Sequence, residues 1–263
     1  MKGYAAFFSA QFRALLQYRA AALAGFGTQL VWGYLLVMVY EAFYRSSSEP
    51  QPMTIRQVVT YVWLGQAFLA MLPWNDDREI QTLIRSGTVS YELLRPLDLY
   101  TLWYCRVLAV RTAPTMMRAA PMLVVSSLFL GLQAPASPAA LGAFVMAMLG
   151  ALLLGCAFST LLNISLLWTV SGQGINVIGF AAVSIFSGMT VPLPLFPKWA
   201  QTIIYLLPFR GLVDTPFRLY TGNMPPSELP FLLAHQVAWA AAFVFAGRWA
   251  LSRGLRSMTV QGG

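Results

Sequence analysis

The chain has 263 residues, of which 58% are apolar or aromatic and only 10% charged, where a soluble domain carries roughly a quarter charged residues. Together with a mean hydropathy of +0.63, that deficit excludes a soluble enzyme, a disordered chain and a nucleic-acid-binding domain. The formal net charge of +8 therefore reads as basic loops facing the cytoplasm and anionic lipid.

A membrane-crossing helix takes about 20 residues, so six of them use roughly 120 and leave no room for a large soluble domain. Residues 2–19 are too interrupted to span. On a helix, Tyr4, Phe7, Phe8, Phe12 and Leu15 share one side, while Lys2, Ser9, Arg13 and Gln17 share the other. This predicts an amphipathic helix lying in the interface. Arg13 and Arg19 also interrupt any apolar signal-peptide core.

The first span is expected at 20–43, a polar stretch at 45–57, and a short second span at 58–73. The polar segment 74–111 holds Asp76, Asp77, Glu79, Glu92 and Asp98, five of the nine acids, and five arginines. Asp76 followed by Glu79 reads as a helix start. Ile80, Leu83 and Ile84 form an apolar stripe, Gly87 a stop, and Ser90 the cap of a second short helix limited by Pro96. The segment is thus expected to be short helices on the membrane surface. A third span is expected at 112–132 and a long fourth run at 139–170, broken at 171–174. A fifth span follows at 175–191. The proline-rich stretch 191–230 reads as two short helices forming a re-entrant hairpin in the outer leaflet. The last span is expected at 229–251, with a basic tail at 252–263.

Arginine and lysine counts set the orientation. The N-terminus, the 74–111 segment and the tail carry eleven, against five on the opposite side. Both termini and the 74–111 segment are therefore expected in the cytoplasm.

Chemistry is sparse. Lys2 and Lys198 are the only lysines, and neither sits in a phosphate-binding loop. One histidine, His235, and two cysteines, Cys105 and Cys156, do not suit a metal site or a disulfide framework. Asp76–Glu79 suits a helix cap better than a metal cluster. No span has an acid at its centre, which argues against ion coupling. Arg118 is read as snorkelling or pairing with another helix, with substrate contact as the alternative. His235 is read as a packed core histidine, with a proton relay as the alternative. Gln29, Gln66, Asn163, Gln173 and Asn176 are expected to bond between helices.

Three features in order carry a resemblance: the amphipathic N-terminal helix, IRSGTVSYELLRPLDLY at 84–100, and FSGMTVPLPLFPKWAQTIIYLLPF at 186–209. The chain resembles the permease subunit of ABC-2 type ABC transporters, notably bacterial permeases whose cytoplasmic loop runs I-x-x-G-x-x-x-x-x-L-L-R-P-L. The resemblance implies one all-α transmembrane domain over 1–263. It would comprise an N-terminal elbow helix (1–19), a six-span bundle (20–251) and a tail, in a bacterial inner membrane. It implies coupling helices between spans two and three, with Asp76, Glu79, Ile80, Leu83, Ile84, Gly87, Glu92 and Arg95 meeting the ATPase. It also implies an outer re-entrant hairpin between spans five and six, and a passage drawn from the second and fifth spans: Trp63, Gln66, Asn176, Phe180, Ser184 and Ser187. Expected partners are two ATPase subunits carrying ATP and Mg, a second permease of the same or a different chain, membrane lipid and a transported small molecule. No nucleic acid is expected, and no cofactor or catalytic residue on this chain. The competing readings are an ion-coupled secondary transporter or channel, a membrane enzyme, and a purely structural subunit.

Overall fold

The computed structural model describes residues 2–74, 77–168 and 173–257. These residues are helical with short connections and contain no strand. Eleven α-helices follow in chain order: α1 Lys2–Leu15, α2 Arg19–Ser46, α3 Ile55–Phe68, α4 Arg78–Arg85, α5 Val89–Leu93, α6 Leu99–Phe129, α7 Pro138–Ser165, α8 Gln173–Phe186, α9 Lys198–Ile204, α10 Asp214–Thr221 and α11 Leu229–Ser257.

Local chemistry explains several starts. Thr54 and Gln57 form a reciprocal capping box before α3, at 3.3 and 2.9 Å. Asp98 accepts the Thr101 N–H at 2.9 Å at the start of α6. Ser137 caps α7 through the Ala140 N–H at 3.0 Å, with Pro138 in the first turn.

α3 forms the centre. Val58 and residues 60–67 are buried on all sides, packed among α2, α6 and α10. Close approach to α2 depends on Gly33, where a Cβ would lie 2.5 Å from Trp63. A large apolar cluster surrounds α3, and a second joins Ile80, Val89, Leu99, Trp103, Val107, Ile164 and Leu251 at one end. That end also holds the first turn of α1 and the later part of α11. Tyr4 of α1 accepts the Asp98 N–H at 2.8 Å, and Arg248 of α11 reaches Asp98 at 3.2 Å. At the opposite end, Tyr220 bonds the Gln133 carbonyl at 3.0 Å and Asn223 the Pro52 carbonyl at 3.1 Å.

Among the described residues, three helices are long and apolar enough to cross a membrane: Arg19–Ser46, Pro138–Ser165 and Pro226–Arg256. Gly174–Phe186 is a shorter apolar helix. α3 is only 14 residues, and α6 mixes Arg118, Pro114 and Pro121 into its apolar stretch.

Several boundaries differ from the sequence reading. α6 begins at Leu99, not 112, so residues 99–111 do not lie on the surface as separate helices. At 31 residues it is about 46 Å long, beyond the roughly 30 Å hydrocarbon core. α7 stops at Ser165, because the N–H groups of residues 166–168 bond three residues back and tighten the turn. Gln173 and Gly174 start α8 rather than interrupt a helix, while the rest of that expected break and residues 258–263 of the tail lie outside the described residues. α8 ends at Phe186. The 191–230 stretch holds α9 and α10 with three 3-10 turns, not two helices alone.

Candidate functional site

The short helices after α3 are built from their caps. Asp77 accepts the Glu79 and Ile80 N–H groups at 3.0 and 3.4 Å, and so caps α4. The cap thus sits one residue beyond the expected Asp76, which lies outside the described residues. α4 ends at Arg85, and Gly87 turns the chain at φ +71°. Ser90 lies inside α5 and does not cap it. Thr88 holds the cap position, and the Ser90 hydroxyl donates to the Gly87 carbonyl at 3.2 Å.

A buried ion pair fixes this element to the bundle. Arg106 Nε on α6 lies 2.6 Å from Asp77 Oδ2, and its Nη2 meets the Glu79 carboxylate. The Arg106 and Asp77 side chains are 10% and 7% exposed, whereas Glu79 is 60% exposed. Asn163 of α7 accepts the Asp77 N–H at 3.2 Å. Glu92 accepts from Trp103 Nε1 at 3.3 Å and pairs with Arg95 at 3.3 Å. Burial would raise the Asp98 carboxyl, but hydrogen bonds from Thr101 and the charge of Arg248 leave it below its ordinary value.

The apolar stripe points inward. Ile80 and Val89 are fully buried, and Leu83 and Ile84 pack against the same cluster. The apolar groups left outside are Tyr91, Leu93 and Leu94, the last 80% exposed. They share this surface with the exposed residues Arg85, Gly87 and Arg95. An exposed apolar patch next to Arg95, on an element anchored to the bundle by Arg106, is suited to receive a protein partner.

α6 carries two further arginines into the bundle. Arg111 donates to the Leu72 carbonyl beyond α3 and to Ser159 Oγ on α7, the latter at 3.1 Å. Arg118 donates to the Ala21 carbonyl of α2 at 3.4 Å and lies beside Gly25. Each of the three arginines ties α6 to a different neighbour. Spacing alone did not reveal this, because the partners are 29 to 97 residues away.

The six residues read as passage-lining fall into two groups. Trp63 and Gln66 are buried against Gly33 of α2. Asn176, Phe180 and Ser184 lie on α8, with Phe180 edge-on to Trp74 at 4.9 Å and Ser184 bonded to the Phe180 carbonyl at 2.7 Å. Ser187 is buried beyond α8 and accepts the Met189 N–H at 3.2 Å. A cleft of about 270 Å³ opens between α6 and α7, lined by Phe68, Met71, Arg111, Met116, Phe144 and Leu152 among others.

Sequence reasoning also missed a buried acid. Asp214 is 1% exposed and pairs with Arg218 at 3.3 Å. Its i, i+4 spacing to Arg218 was the available signal. Among the described residues, no group of His, Cys, Asp and Glu could hold a metal ion.

No curated protein and no solved structure matches the chain. A family model does: the one described as ABC-2 family transporter protein matches residues 26–262. The chain is therefore a membrane permease that belongs to the ABC-2 transporter family.

Proposed function

We propose that the chain is the transmembrane subunit of an ATP-driven exporter, energised by two separate ABC ATPase subunits that bind ATP and Mg. Its cargo is an amphiphilic or lipid-like molecule, a drug, a peptide or a glycan. A second permease, identical or different, completes the passage. The subunit sits in a bacterial inner membrane with six spans, α2, α3, α6, α7, α8 and α11, and with both termini cytoplasmic. α1 is its elbow helix, and 191–230 forms the outer re-entrant hairpin.

One observation carries the reading: α4 and α5 expose an apolar and cationic face while their other face is locked to α6 through Arg106. Binding of ATP by the partners moves this element. The Asp77–Arg106 pair passes the motion to α6, and the burial of Ile80 and Val89 passes it to α7 and α11. Apart from Asp76, which lies outside the described residues, the residues Glu79, Ile80, Leu83, Ile84, Gly87, Glu92 and Arg95 then divide into a partner-facing and an anchoring set. Gly87 and Arg95 belong to the partner-facing side. Ile80, Leu83 and Ile84 support the element from beneath, and Glu79 and Glu92 hold α6. The passage forms between two permeases from α3 and α8.

The test is copurification and ATP turnover. Tyr91→Glu with Leu94→Glu should release the Walker-motif subunit and abolish its response to the permease. If that double variant still copurifies and still stimulates turnover, the assignment of this face is wrong. Transport driven by an ion gradient without any ATPase would favour the alternative, an ion-coupled transporter or channel subunit.

A further inference from the structure

The cleft between α6 and α7 runs from the surface of the bundle to its core. Its rim is open: Met116 of α6 is 62% exposed, and Val145 and Leu149 of α7 are 47% and 52% exposed. Its floor is closed, because Met71, Phe144 and Met148 are buried.

The depth of the cleft follows from α7. On that helix it spans Phe144 to Leu152, roughly 9 to 21 Å from the helix start at Pro138 for a rise of about 1.5 Å per residue. α7 is long and apolar enough to cross a membrane. A hydrocarbon core is about 30 Å thick, so at this depth the mouth meets lipid tails and not water.

The polar groups on the wall are turned to the protein itself. Thr112 and Thr115 donate to the Leu108 and Arg111 carbonyls of their own helix, at 2.7 and 2.6 Å. Arg111 donates to the Leu72 carbonyl and to Ser159 Oγ. A bound water makes about three hydrogen bonds, and a buried charge needs a partner; this wall is built for neither. It suits hydrocarbon, which gains dispersion contacts along apolar walls. At about 270 Å³ the cleft falls below the roughly 300–1,000 Å³ of pockets for drug-sized ligands, which selects a slender occupant. Met71, Met116 and Met148 are unbranched and adaptable, and so suit a flexible chain of no fixed shape. The residues assigned to the passage, Trp63, Gln66, Asn176, Phe180, Ser184 and Ser187, are not on its wall.

We propose that the cleft is a binding site for one acyl chain of a bilayer phospholipid, entering past Met116 and Leu149 and ending against Met71 and Phe144. There it braces the 3-10 turn Leu69–Met71, next to the Leu72 carbonyl that Arg111 holds. The choice of a bilayer lipid over cargo rests on the passage proposed above. The cleft itself needs only that α7 crosses a membrane, and it is independent of the ATPase-facing element.

The test uses the full chain in detergent micelles and a phospholipid with a photoactivatable diazirine in its acyl chain. Labelled peptides are mapped by mass spectrometry. Label should saturate at a single lipid per chain and fall on α6 and α7 around Met116, Val145 and Leu149. Phosphatidylglycerol and phosphatidylcholine forms of the probe should label alike. Leu149→Trp fills the mouth and should lower this label at least about fivefold. Leu128→Trp, at a residue 69% exposed and outside the cleft, should leave it unchanged. The proposal is overturned by label that does not saturate and spreads evenly over the exposed apolar faces, which is bulk lipid only. Label concentrated on α3 and α8, a requirement for the charged headgroup, or cross-links that place a second copy of the chain over the cleft would each overturn it too. So would wild-type labelling of Leu149→Trp when that variant melts like the wild type. Should Leu149→Trp not fold, Val145→Trp replaces it, with the same loss expected and unchanged label contradictory.

Discussion

The two ends of the bundle each bury an ion pair, and the pairs differ in reach. At one end, Arg106 of α6 bridges 29 residues back to Asp77 and also holds Glu79. At the other, Arg218 meets Asp214 four residues away on the same helix. The first pair joins two separate elements directly; the second lies within one helix and reaches Leu193, Tyr205 and Asn223 through hydrogen bonds. The charge balance differs too. One arginine faces two carboxylates beside α4, while at the other end Arg218 pairs with Asp214 and Arg210 stands in the field of both Asp214 and Glu228.

Breaking each pair should separate the two ends. Arg106→Ala and Asp214→Ala each leave a buried charge unpaired and should each cost about 3–5 kcal/mol in denaturation of the purified protein. Only Arg106→Ala should also remove the stimulation of partner ATP turnover at a temperature where both variants are folded. Equal loss of stimulation in both would erase the distinction. Gly33→Leu tests the middle of the molecule. Its side chain collides with Trp63 at the α2–α3 contact, so a loss of about 1–3 kcal/mol is expected, with ATPase copurification retained. Tyr91→Glu with Leu94→Glu should change stability by about 0.5 kcal/mol or less while abolishing copurification.

The smallest effect concerns the joint of α1, α6 and α11 at Asp98. Its carboxyl is held below its ordinary value. The folded state therefore gains from the charged form above that ordinary value, 3.8, and loses the gain as pH falls through the lowered one. Melting of the wild type should weaken over this acidic window, and Asp98→Asn should remove that component alone. A melting profile unchanged by Asp98→Asn across the window would contradict it.

The long apolar helices were legible because composition and length suffice. α2 falls close to its expected limits, and α7 starts where expected. The amphipathic pattern of α1 was also legible: Tyr4, Phe7, Phe8, Phe12 and Leu15 are its part-buried apolar side, against α6. Placement of the α4 stripe was not. Ile80, Leu83 and Ile84 form an apolar face whether they cover a partner or the chain's own bundle, and periodicity alone does not say which. The start of α6 was hidden for a related reason. Arg106 and Arg111 look like surface residues until their partners, Asp77 and Ser159, are placed beside them in three dimensions. At the other end, Arg210 shows no pattern in one dimension, since its surroundings come from α9, α10 and α11. The family resemblance singled out this segment for coupling, yet it did not distinguish the residues that face outward from those buried against the bundle.

The most direct measurement is ATP turnover by the partner ATPase reconstituted with wild-type permease, with Tyr91→Glu/Leu94→Glu and with Arg106→Ala. The account predicts stimulation by the wild type, no copurification and no stimulation with the double variant, and copurification without stimulation for Arg106→Ala. Full stimulation with either variant would contradict the claim that the exposed face of α4 and α5 receives the ATPase and that Arg106 carries its motion into the membrane.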